Sequence, residues 1–88
     1  LWKYEIATDQ WTWVSGFNSI NQAGVYGTKG VSDAANTPGS RLGSFFWKDA
    51  SGNLYVSAGI GTVGRFNDLW KFNPASNQWT WVSGSTTI

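Results

Sequence analysis

Tryptophan is the most prominent chemistry-bearing residue of this chain, with seven copies in 88 residues. The flat face of an indole suits the apolar face of a pyranose ring, so an exposed tryptophan could stack on a sugar. A buried tryptophan instead removes roughly 150–250 Å² from water and stabilises a core. Packing is the favoured interpretation for four of them: Trp2, Trp11, Trp70 and Trp79. For Trp13 and Trp81 both interpretations stay open.

Other reactive groups are scarce. The chain contains no His and no Cys, which excludes Ser/His/Asp catalysis, disulfides and thiolate metal sites. Asp49, Ser51 and Asn53 alternate as calcium ligands could, but a plain turn explains the same residues. The glycine-rich segments lack the Lys-Ser/Thr of a phosphate cradle. We therefore predict a protein that is not an enzyme, with no catalytic residues, no cofactor and no metal.

An internal repeat organises the chain. Residues 1–20 match residues 69–88 at a constant offset of 68 positions, and the hexapeptide at 11–16 recurs unchanged at 79–84. Such a repeat indicates that the chain is one unit of an array. The carboxylates do not recur, since Glu5 falls on Asn73. A repeated catalytic pair of acids is therefore not expected.

Alternating apolar and polar residues between short turns predict six strands and no helix. The strands cover residues 1–6, 10–15, 43–48, 54–59, 68–72 and 78–83. Segments 49–53 and 73–77 are predicted turns, in which Asp, Gly and Pro set the backbone. The last four strands form an antiparallel meander, here labelled A to D in chain order. The first two strands form a second C–D hairpin.

Two longer segments connect these strands, the D–A loop at 16–40 and the B–C loop at 60–67. Because strands alternate in direction, both loops emerge at the same end of the meander, where function concentrates. Five loop side chains and one tryptophan are candidate ligand-binding residues: Tyr26, Lys29, Asp33, Arg65, Phe66 and Trp81. The alternative is that these loops are solvated or only pack between repeats.

The residues of one repeat resemble the kelch repeat of β-propellers, in its Trp-rich bacterial form. Those that carry the resemblance are Gly59, Gly61, Trp70, Asn73-Pro74 and Trp79. The resemblance implies an all-β fold, with a four-stranded blade whose strand A is innermost and strand D outermost. It also implies a binding scaffold more often than an enzyme. The sequence departs from the family in its spaced glycine pair and in its 68-residue period, against about 50.

On this interpretation the chain divides into four parts. Residues 1–16 are the outer hairpin of one blade, 17–42 an inter-blade loop, 43–84 a complete blade and 85–88 the start of the next loop. The structural repeat residues are Trp2, Trp11, Trp13, Gly59, Gly61, Trp70 and Trp79. Two C–D hairpins share one A–B hairpin, so we expect the first hairpin to need other blades or identical chains, arranged head to tail.

Charge and composition limit the classes of binding partner that we expect. The six basic residues are scattered and the net charge is +1, so nucleic acid is not an expected partner. No apolar run reaches membrane-spanning length. Few charges among abundant Gly, Ser, Thr, Asn and Trp suit an extracellular or cell-surface β protein. The sequence thus predicts a binding or adhesion scaffold for protein or carbohydrate, or alternatively a structural subunit of a ring or fibre.

Overall fold

The fold of the chain was analysed in a computed structural model, which describes residues 1–16, 22–61 and 64–86. Over these residues every element of regular secondary structure is a β-strand, which confirms the all-β prediction. The strands are β1 Trp2–Glu5, β2 Gln10–Trp13, β3 Phe45–Lys48, β4 Leu54–Ser57, β5 Ile60–Gly61, β6 Gly64–Arg65, β7 Asp68–Asn73 and β8 Gln78–Gly84. No helix among the described residues is long and apolar enough to cross a membrane.

Four strands form one antiparallel sheet in the order β3-β4-β7-β8, the predicted A-B-C-D meander. Strand β4 ends at Ser57, two residues before the predicted end, because Ala58 and Gly59 have positive φ values of 61° and 100°. That conformation leaves the extended region and turns the chain. The predicted B–C loop contains a two-stranded sheet of its own, β5-β6.

The two near-identical sequences form hairpins with the same pairing. Trp2 pairs with Trp13 in the first hairpin, and Trp70 pairs with Trp81 in the second. The turns agree as well, since Asp9 and Asn77 have φ values of 55° and 54°. Asp and Asn tolerate this left-handed conformation better than most residues. Local sequence alone therefore sets the strand register and the turn.

The core lies on one face of the four-stranded sheet. Trp70, Phe72 and Trp79 are buried, and Leu54 and Val56 of β4 pack beside them. Each buried ring contributes roughly 4–6 kcal/mol of gross hydrophobic free energy, before the entropy of ordering the chain is subtracted. The sheet pairing places all five residues on one face, as strict alternation requires.

The first hairpin contacts this core through its last residues. Val14 packs against the cluster, and the indole Nε1 of Trp79 donates a hydrogen bond of 3.1 Å to the Ser15 hydroxyl. The two hairpins are thus adjacent but form separate sheets. The opposite face of the four-stranded sheet carries a stacked pair, Trp47 and Tyr55, with ring centroids 5.5 Å apart.

Candidate functional site

The described part of the D–A connection, residues 22–41, closes on itself and is called the strap below. Val25 and Thr37 exchange two backbone hydrogen bonds, of 2.8 and 3.0 Å. Gln22 and Ser40 close the base, because the Ser40 amide donates to the Gln22 carbonyl and the Gln22 amide donates to the Ser40 hydroxyl. Gly24 and Gly39 meet there so closely that a Cβ on either would lie under 3.0 Å from the other's backbone nitrogen.

The strap lies along the outer edge of β8, which the sequence leaves as an open edge. The Gly30 amide donates to the Trp81 carbonyl at 2.7 Å, and the Asp33 amide donates to the Trp79 carbonyl at 3.4 Å. Asn36 is buried, and its side-chain amide donates to the Trp79 carbonyl and to the Val31 carbonyl. An edge strand that would be free to pair with another chain is therefore partly covered.

Tyr26 anchors the strap in the aromatic core. Its ring lies 5.0 Å from that of Trp70 and 5.2 Å from that of Trp81. The hydroxyl donates to the Asp68 carboxylate at 2.5 Å. Burial, together with this hydrogen bond, raises the pKa of Tyr26 to about 12. Lys29 places its ammonium 4.7 Å from the Trp81 ring centroid, within the range of a cation–π interaction.

Asp68 is the polar centre of the blade. Its buried carboxylate accepts hydrogen bonds from Arg41 (2.6 and 3.0 Å), Tyr26 and the Trp70 indole. Burial alone would raise the pKa of Asp68, but the hydrogen bonds from Arg41, Tyr26 and Trp70 outweigh it and hold the pKa below its usual range. Both partners of the Arg41–Asp68 ion pair are almost fully buried. Sequence analysis missed this pair.

The end of the strap meets the B–C segment, as the alternating strand directions predict. Leu42 and Ile60 exchange backbone hydrogen bonds, and the guanidinium of Arg41 lies 3.9 Å from the Phe66 ring centroid. Gly61 is required here, because a Cβ would clash with the Phe66 ring. Arg65 follows on β6 and is exposed.

The six candidate binding residues therefore fall into three places. Tyr26, Lys29 and Trp81 form one aromatic cluster, and Arg65 and Phe66 lie in the B–C segment. Asp33 lies on the β8 edge, where its carboxylate accepts the Ala35 amide in a local turn. Tyr26 and Phe66 make intramolecular packing contacts, whereas Lys29, Asp33 and Arg65 are exposed.

The repeat tryptophans differ between the two copies. Trp70 and Trp79 are 0% and 5% exposed, whereas Trp2, Trp11 and Trp13 are 61%, 66% and 50% exposed. Gly59 lies so close to Ser44 that a Cβ would meet the hydroxyl oxygen at 2.6 Å. The packing interpretation thus describes the second copy in this chain, while the first copy presents its indoles to solvent.

In the predicted turn at 49–53, the carboxylate oxygens accept hydrogen bonds from neighbouring groups of the same chain. The Asp49 carboxylate accepts hydrogen bonds from the Ser51 and Asn53 amides, the Asn53 side chain and the Tyr55 hydroxyl. The hydrogen bond from the Asn53 side chain is the main cause of a lowered pKa at Asp49. No cluster of three or more metal-ligating side chains occurs among residues 1–16, 22–61 and 64–86.

An apolar cleft of about 680 Å³ opens beside the core on the inner strands. Phe46, Leu54 and Val56 line it, with Leu1 at one side. Phe46 is exposed although it lies on the same sheet face as Trp70. The face thus presents apolar surface next to a formed core.

A four-stranded antiparallel meander with its core on one face and connecting segments gathered at one end has the form of a β-propeller blade. Comparison with known protein families matches the Kelch motif over residues 37–86, more than half of the chain. The chain therefore belongs to the kelch motif family. Kelch repeats mediate protein interactions and are generally non-enzymatic binding scaffolds. No curated protein and no solved structure matches the chain.

Proposed function

We propose that this chain is a repeat unit of an extracellular β-propeller that binds a protein or glycan ligand through its D–A and B–C loops. The observation that carries the proposal is the meeting of these loops at one end of the blade. The Leu42–Ile60 bridge and the Arg41–Phe66 contact hold them there, and Arg65 is left exposed. A scaffold that fixes loops while exposing side chains is suited to binding.

The exposed charges favour a ligand with acidic groups. Two of the three exposed charged residues among the candidates are cations, Lys29 and Arg65, and the third is Asp33, whereas the Arg41 charge is neutralised by Asp68. Tyr26 and Phe66 position these segments rather than face solvent fully. The ligand class is thus an acidic protein surface or an acidic glycan. The low charged fraction of 12% supports the extracellular location, and fractionation of the source cells tests it.

The test is binding of the purified chain to an array of glycans and secreted proteins. Arg65→Ala and Lys29→Ala should each reduce a reproducible signal, and raised salt should weaken it. Lys48→Ala is the matched control, because Lys48 is an exposed cation beside the 49–53 turn, at the other end of the blade. An equal loss with Lys48→Ala would show that the binding is nonspecific attraction.

A second candidate function is a structural subunit of a ring or fibre, assembled head to tail. The exposed side chains of β3 favour it, since Phe46 faces the apolar cleft and Phe45 lies on the opposite sheet face. Two different apolar faces on one unit form a heterologous contact, which closes into a ring or continues as a fibre. Native mass spectrometry of the chain tests this. A cooperatively melting 9.6 kDa monomer would contradict it.

A further inference from the structure

The outer edge of β8 and the outer edge of β2 are equivalent positions with different neighbours. On β8, the Trp79 and Trp81 carbonyls accept hydrogen bonds from strap residues Asp33 and Gly30. The pairing of β2 with β1 matches that of β8 with β7 residue for residue from Trp2 to Glu5. The Trp11 and Trp13 carbonyls therefore point away from β1 in the same way.

Nothing in the described part of the chain covers that second edge. No backbone donor at residues 1–16, 22–61 or 64–86 reaches the Trp11 or Trp13 carbonyl from outside the hairpin. The aromatic face beside it is open as well, since Trp2 and Trp13 are exposed while Trp70 lies against Tyr26 in the core. The first hairpin thus repeats the strap-binding surface of the second without a strap on it.

We infer that the β2 edge and the Trp2–Trp13 surface bind a second copy of the strap, supplied by another repeat of this kind. The occupant follows from the chain itself, because the same hexapeptide on β8 already holds this segment. In the second copy, the Gly30 and Asp33 amides donate to the Trp13 and Trp11 carbonyls. The ring of its Tyr26 lies between Trp2 and Trp13.

In this arrangement the strap of one repeat binds the hairpin of the next repeat. It covers the outer edge of β2 and buries the Trp2 and Trp13 indoles. The inference rests on the proposed arrangement in an array, because it requires a second repeat. It is independent of any ligand at the loop end. A generic strand would pair with the edge equally well, but it would bring neither the tyrosine nor the buried Asn36 side chain, which bonds the Trp79 carbonyl on β8 and the Val31 carbonyl of the strap itself.

The experiment places a second copy of the strap in register before the first hairpin. A chain is made in which residues 22–68 directly precede Leu1, so that Asp68 of the added copy is followed by Leu1 as it is by Leu69. The control chain carries only residues 42–68 before Leu1, and therefore adds strands A and B without the strap. Amide hydrogen exchange is measured at Gly30 and Asp33 of the added copy, and indole exchange at Trp2 and Trp13.

The expected result is protection of both amides and of the Trp2 and Trp13 indoles in the longer chain. In the control chain the Trp13 indole N–H should exchange faster, because its only partner among the described residues is the exposed Ser15 carbonyl and no strap ring covers it. Tyr26→Ala in the added copy alone should restore exchange at Trp2 and Trp13, whereas Thr28→Ala, an exposed strap position, should not. Equal protection of Trp13 in both chains would overturn the inference, because strands A and B would then suffice.

A second measurement covers the case in which the added copy does not fold. A peptide of residues 22–41 is titrated into the unmodified chain, and the Trp indole signals are followed by NMR. Saturable shifts at Trp2 and Trp13, with none at Trp47 on the inner strand, support the inference. Their absence at millimolar peptide overturns it. Assembly of the unmodified chain with no strap protection would leave the proposed function intact and remove only this inference.

Discussion

The hairpins β1–β2 and β7–β8 have nearly the same sequence, the same register and the same turn, yet they have different surroundings. Trp70 is fully buried and its counterpart Trp2 is mostly exposed; Trp79 and Trp11 differ in the same way. The second hairpin has β4 on one side and the strap on the other. The comparison shows that short-range sequence determines hairpin geometry, while neighbours that are distant in sequence determine burial.

The largest expected effect is the difference in stability when the same tryptophan is replaced in each of the two hairpins. Trp70→Ala should lower the free energy of unfolding by about 3–5 kcal/mol, because a fully enclosed ring leaves a cavity. Trp2→Ala should cost no more than about 1 kcal/mol, as for most exposed positions. Chemical denaturation of both variants measures the difference. Equal losses would show that the first hairpin is covered in solution, as by a second copy of the chain.

Asp68 has no counterpart within the first hairpin. Its replacement should destabilise the fold nearly as much as that of Trp70. Asp68→Asn leaves the buried Arg41 guanidinium without a counter-charge, at a cost of about 3 kcal/mol or more. Because the folded pKa of Asp68 lies below its unfolded value of about 3.9, the stabilisation is present above that pH and is lost as pH falls through the folded pKa. Chemical denaturation of the unsubstituted chain between pH 6 and pH 2 should show this fall in the free energy of unfolding.

The matched control is Asp49→Asn, which removes a carboxylate whose pKa is also lowered but which lies in an exposed turn. In this variant the free energy of unfolding should still fall in acid by most of the native amount. In Asp68→Asn the largest part of that fall should be absent. An unchanged acid profile in Asp68→Asn would mean that other carboxylates dominate the pH dependence.

The strands of the blade could be predicted from the sequence because each one depends on local alternation and on adjacent turn residues. Residues 78–83 and 10–15 have the same sequence, and both contribute the second strand of a hairpin. The predicted ends were less accurate where the backbone departs from regular geometry. Ala58 is a non-glycine residue with positive φ, and no residue type in the sequence marks that position.

The polar centre was not predictable in the same way. Arg41 and Asp68 are 27 residues apart, and the residues around each of them give no indication that the two charges are paired. Comparison of the two repeats does not single out Asp68 either, because the position 68 residues earlier would precede Leu1. The position of the strap on β8 is equally non-local, since it joins Asp33 to Trp79. Only the assembled fold brings these groups together.

A smaller effect is expected at the glycines that end the two hairpins. Gly16 and Gly84 both have positive φ, but a Cβ on Gly84 would clash with the Asn67 carbonyl oxygen, while one on Gly16 would meet only the Leu1 nitrogen at 3.5 Å. Gly84→Ala should therefore cost about 2–3 kcal/mol and Gly16→Ala about 1 kcal/mol. Thermal melts of the two variants measure the gap, and a larger loss for Gly16→Ala would contradict the assigned contacts.

The smallest effect concerns Lys29, whose ammonium lies over Trp81 while no cation among the described residues lies over Trp13. Lys29→Met keeps the apolar stem and removes the charge, so it should cost about 0.5–1 kcal/mol, the usual size of an exposed cation–π interaction. Lys29→Arg should restore that stability, because a guanidinium also interacts with the indole face. A double-mutant cycle with Trp81→Phe isolates the pair energy from the general loss of ring area. A coupling energy near zero would show that the charge of Lys29 does not help to hold the strap on β8, and that this charge is available to a ligand.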